Sequence, residues 1–182
     1  MRNSGASLHG FLPLHAYVMG TKAPPALTDG GLCSFCGSSA HAELRQNGGS
    51  PFLFVTERIP EGSSESVLFP KILEAMKLHP GAVRWWALSS RASDLPVECV
   101  SAALSACWSE APGVLVVLGP HLGEALLPEE TPNLRGQVHE RMGWKIVVTE
   151  ALAEMASQPE LKKIAWEELK RALQVAKQER VR

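Results

Sequence analysis

Apolar positions fall in short unbroken runs along most of the chain, with stretches of helical spacing between them. The run PFLFVT, Pro51 to Thr56, is bounded by Gly48-Gly49 and Pro60. That is the pattern of a strand covered on both faces. Val83 to Leu88 and Trp144 to Thr149 read the same way, and GVLVVL, Gly113 to Leu118, is the clearest of the four. Leu68, Ile72, Leu73 and Met76 line one side of a helix predicted over Val67 to Leu78 and ended by Pro80-Gly81. Further helices are predicted over Val97 to Ser109 after Pro96, His121 to Leu127 after Gly119-Pro120, and Pro159 to Lys177. Strands and helices alternating at this spacing predict an α/β fold, a three-layer α/β/α sandwich around a four-stranded, mostly parallel sheet.

The first 30 residues break this pattern. Gly, Pro and Ser are frequent, and Ala23-Pro24-Pro25 and Asp29-Gly30-Gly31 hold no regular element. Residues 1–30 therefore read as a flexible tail and 31–182 as the domain. One apolar island, Phe11 to Met19, interrupts the tail. It either packs loosely on the domain or docks on another protein, as apolar islands in flexible tails do when they fold on binding.

Composition narrows the function classes. Of 182 residues 45% are hydrophobic, enough for a core and too many for a wholly disordered chain. Eighteen basic residues against nineteen acidic give a net charge of −1, which argues against bulk attraction to nucleic acid or membrane but leaves room for a local basic face. No apolar run approaches the ~20 residues of a membrane span. Gly10 and Pro13 interrupt the segment that a secretory leader would need. With that, a Cys33-x-x-Cys36 pair among four cysteines points to the reducing cytoplasm rather than to a disulfide scaffold.

Candidate chemistry is sparse. There is no phosphate loop, no Gly-x-Ser-x-Gly and no His-Glu-x-x-His. The last helix sets Leu161, Ile164, Ala165, Leu169 and Leu173 against Lys162, Lys163, Lys170, Arg171, Lys177 and Arg180. Such a charged face is ordinarily solvated, and the alternative is a phosphate-facing stripe.

The order of motifs resembles the uracil-DNA glycosylase superfamily, most closely its iron–sulfur bacterial branch, over about Gly31 to Ala172. The likeness rests on Gly113 to Gly119 with the short helix ending Ala125-Leu126-Leu127, on Arg135-Gly136-Gln-Val-His139, on Lys145 to Thr149, and on Gln158-Pro159 followed by a helix bearing Ala165-Trp166. The resemblance implies that Cys33, Cys36 and Cys99 stand where cluster cysteines stand, Cys99 nineteen positions before Leu118. It implies that Glu57 is the carboxylate that would place water. Arg135, Lys162 and Lys163 are the candidate DNA contacts. The third cluster cysteine is missing, since Ser89-Ser90-Arg91 occupies its place, and Cys107 lies eight residues past Cys99. An iron–sulfur cluster takes four thiolates, and so a 4Fe-4S cluster is the alternative to no cofactor at all. His41 could complete a Cys/His set for zinc, and the plainest reading is a set of ordinary buried thiols.

Three loops depart from the family pattern. Thr56 and Arg58 flank Glu57 where the family has small residues, and glycine there lets the backbone approach the base. Arg58 also favours a paired, structural Glu57. Polar Ser64 to Ser66 stand where an aromatic residue would stack on the base, with Phe69 expected in the core. The family histidine would fall at Ala151, and Glu150 and Glu154 place negative charge where an anion must develop. His139 reads as a loop histidine with a local hydrogen bond. The function expected is a non-catalytic protein of this fold, an adaptor in bacterial DNA replication or repair, with a replication or repair protein as partner through Phe11 to Met19 and DNA as a further candidate. In plan it is similar to the psi-subunit family of bacterial clamp loaders. The alternatives are a divergent glycosylase acting on uracil or another altered base, and a DNA-binding module without chemistry.

Overall fold

The computed structural model describes residues 33, 36, 42–46, 49–91, 94–109, 113–127, 131 and 133–179. The tail, with Phe11 to Met19, and His41 lie outside them. In chain order the elements are β1 (Ala42–Gln46), β2 (Phe52–Thr56), α1 (Ser64–Ala75), β3 (Arg84–Leu88), α2 (Val97–Leu104), β4 (Val114–Leu118), α3 (Pro120–Leu126), β5 (Val138–Arg141), β6 (Trp144–Thr149), α4 (Leu152–Ser157) and α5 (Leu161–Glu179). Short 3₁₀ turns at Pro80–Ala82 and Ser105–Ser109 precede β3 and extend α2.

The α/β class is as expected, but the sheet has six strands rather than four, in the order β1-β3-β2-β4-β6-β5. The four apolar runs form its parallel centre. Two antiparallel edges, β1 on β3 and β5 on β6, complete it. Neither edge carries an apolar run, because an edge strand need not be covered on both faces. On β5 only the partly exposed His139 and Arg141 turn toward the protein.

Alternation along each central strand sends side chains into two separate cores. Leu53, Val55, Leu115, Val117, Ile146 and Val148 pack against α2 and α3. Phe52, Phe54, Val114, Val116, Leu118 and Val147 pack against α1, α4 and α5. These are the helical layers of a three-layer sandwich. Helix α1 starts three residues before Val67 because the Ser63 hydroxyl accepts from the Ser66 N–H at 3.3 Å and caps it. The segment after β6, aligned with a family loop, instead forms the one-and-a-half-turn α4 that buries Leu152 and Met155.

Helix α1 leaves β2 on one face and α3 leaves the adjacent β4 on the other. In open α/β sheets this divergence places the ligand crevice at the carboxyl ends of those two strands.

Gly113 enters β4 so close to β2 that a Cβ would stand 2.4 Å from the Pro51 carbonyl oxygen, the acceptor of the Val114 N–H. Gly49 has open space around it. Gly113→Ala is expected to lower unfolding free energy by about 1–3 kcal/mol, as overpacking does. Gly49→Ala should be nearly silent, and urea unfolding of the two variants checks the contrast.

Candidate functional site

The crevice at the ends of β2 and β4 is nearly closed. Glu57, Arg58 and Ile59 follow β2, Glu65 comes from α1 and Arg91 from beyond β3. Leu118, Leu152 and Ala153 fill the far side. The space left is about 10 Å³, room for one water and not for a nucleobase. Ala151 lies 3.8 Å from where a Gly119 Cβ would be. Glu57 is half-buried at the crevice, which Arg58, Arg91 and Glu65 also line. The Glu65 carboxyl is held below its usual range by its own backbone N–H at the start of α1, then by the Ser63 hydroxyl, with a smaller pull from Arg91.

Thr56 has a structural task. Its Oγ1 accepts from the Trp85 indole N–H at 2.7 Å, and Trp85 lies 4.9 Å from the Phe69 ring. Phe69 is buried in the core, as expected. Beside the closed crevice these rings border a shallow groove of about 460 Å³ over the β3 side of the sheet.

Arg135 turns inward. Its Nη1 donates to Glu150, and its Nη2 lies 3.2 Å from Glu168 Oε1. Both carboxylates are buried, at 5% and 4% exposure. The backbone of Arg135 bridges Val148 of β6, and Arg171 on α5 donates to the Gly136 carbonyl. The charge read as a DNA contact is therefore compensated inside the protein. Glu150 is a partner of Arg135 rather than a bare negative charge facing a ligand. Lys162 and Lys163 are exposed on the first turn of α5, 2.6 Å separates Lys170 from Glu167, and this fits a solvated face. His139 donates through Nε2 to the Leu134 carbonyl at 2.9 Å, the local bond expected of it.

Cys33, Cys36 and Cys99 come together, with sulfur atoms all within 4.8 Å of one another. Cys33 and Cys99 are buried against Ala102 and Leu95, and Cys36 is exposed. Cys107 sits elsewhere, in the main core beside α2. Burial first, then Cys36 and Cys33, push the Cys99 thiol up to about 12. The set does not fit a 4Fe-4S cluster. Only three thiols converge among the described residues. In a cluster each thiolate binds a different iron, which holds ligand sulfurs farther apart than this. The approach of Cys99 to the Cys-x-x-Cys pair was readable only from the resemblance. The Arg135–Glu150–Glu168 cluster had no signal in the sequence.

The chain matches no family model and no curated protein.

Burial holds the Glu150 carboxyl above its usual range and Arg135 pulls it back. A carboxyl raised in the native state favours folding below its unfolded pKa and loses that contribution as pH rises through the native value. Removing Arg135 removes the pull. Arg135→Gln should cost about 1–3 kcal/mol, the range for unmatched buried polar groups, because partial exposure keeps it below a fully buried pair. The loss should be greatest at neutral pH, shrink in mild acid, and be partly restored by Glu150→Gln, as read by urea unfolding across pH.

Proposed function

We propose that this chain is a non-catalytic protein of the uracil-DNA glycosylase type of α/β fold that works as an adaptor in bacterial DNA replication or repair. The closed crevice is the observation that carries the reading. Base excision needs a base turned out of the helix into a pocket, a placed water and a group that stabilises the departing base. Here Leu152, Ala153 and Leu118 line the crevice beside Glu57, and the space left there takes one water. No histidine stands at Ala151, the N-cap of α4, to meet a departing anion. The helices and sheet are fully built around this closed point, and so the work of the protein falls to its surface and to the tail with Phe11 to Met19. Fold alone licenses no function, and the partner class rests on the resemblance and on that apolar island.

A second reading has one observation behind it. Glu57 lies at the switch-point crevice, where a water-placing carboxylate of a divergent glycosylase would be. Opening that crevice requires α4 to move, since Leu152 and Met155 are anchored in the core.

Two assays separate the readings. Tagged full-length chain, used as bait in its host, should enrich replication or repair proteins, and a chain lacking residues 1–30 should not. Purified protein should release no uracil from single-stranded DNA above the level of Glu57→Gln. Release that Glu57→Gln abolishes would overturn the non-catalytic reading, and enrichment that survives loss of the tail would overturn the role given to it.

A further inference from the structure

The three converging thiols are placed for a single ion. We infer that Cys33, Cys36 and Cys99 hold one zinc ion that fastens the segment before β1 to the start of α2. Two thiolates on one zinc, each at about 2.3 Å and at a tetrahedral angle, stand about 3.8 Å apart and at most about 4.6 Å. The three sulfurs, all within 4.8 Å of one another, already lie close to that limit. Small rotations about the side chains bring them onto one ion, whereas a cluster would have to force them apart.

The surroundings separate this group from ordinary buried cysteines. Cys107 shows the ordinary case, packed among Leu53, Leu104 and Leu115 in the main core. The other three meet each other, and among the described residues Ala102 and Leu95 pack beside Cys33 and Cys99. They come from places far apart in the chain, one the Cys-x-x-Cys pair before β1 and the other helix α2. Cys99 is the third residue of α2. Cys36 is exposed, which gives an ion a path in from solvent. Soft thiolate ligands in this number select zinc among the common divalent ions. Binding would release the thiol protons, and the ion would contribute folding free energy because the unfolded chain does not bring these residues together.

The test uses the full chain purified without chelator from cells grown with zinc. Metal analysis should find about one zinc per chain and no stoichiometric iron. Cys36→Ser, at an exposed position that can change without disturbing the core, should lose the zinc, and Cys107→Ala should keep it. Chelator should lower the melting temperature of the parent chain, added zinc should restore it, and Cys36→Ser should respond to neither. Stoichiometric iron with the visible absorption of a cluster on anaerobic purification would overturn the inference. So would zinc bound equally by Cys36→Ser, or a parent chain that carries no metal and melts at one temperature with zinc or chelator.

Discussion

The pairing of β2 with β4 is the constraint on which the rest depends. Every residue of both strands is buried, and the two run parallel from Phe52 opposite Val114 to Thr56 opposite Leu118. Parallel neighbours cannot be joined by a tight turn, so the chain must leave each strand and cross the sheet. Strands buried on both faces also require cover on both faces. The chain meets both demands by sending α1 to one side and α3 to the other. The position of the crevice is a consequence of that divergence, before any residue in it is considered.

What occupies the crevice is then a matter of local sequence. After β6 the chain turns at once into α4, and the apolar side of that short helix falls on the gap between the strand ends. Glu57, Arg58, Glu65 and Arg91 line its charged side. Arg135 faces Glu150 and Glu168, joining the loop before β5 to the end of β6 and to α5. Buried ion pairs add little stability compared with apolar packing of the same volume, but breaking one is costly. This cluster therefore acts on register. It holds the Arg135 loop beside β6 in one position, and Arg171 on the Gly136 carbonyl repeats the same tie from α5.

The sheet centre was legible because parallel strands buried on both faces must be apolar throughout, as Val114 to Leu118 is. The edges were not, since AELRQ of β1 and VHER of β5 have no such requirement. Helix α4 was obscured by a resemblance that expects a loop at its position. Arg135 was legible as a singular residue but not in its orientation. Arginine and glutamate look alike in sequence whether they face solvent or each other, and only the fold brings residues 135, 150 and 168 together. The Cys33 and Cys36 pair was legible because Cys-x-x-Cys is a local pattern, and the distance from it to Cys99 was not, because a distance between sulfurs belongs to the folded chain.

Two departures that look like decay in the sequence are satisfied in the fold. Thr56 stands where a glycine would let a base come close, and its hydroxyl holds the Trp85 indole. Glu150 stands near the expected site of a hydrogen-bond donor, and it takes the Arg135 guanidinium. Active sites keep strained or unmatched groups at a cost in stability, and that cost can be relieved once activity is no longer required. Thr56 and Glu150 each have a partner, and Leu152 and Ala153 line the crevice. Contacts of this kind are what the proposed non-catalytic reading expects of a fold kept for its surface.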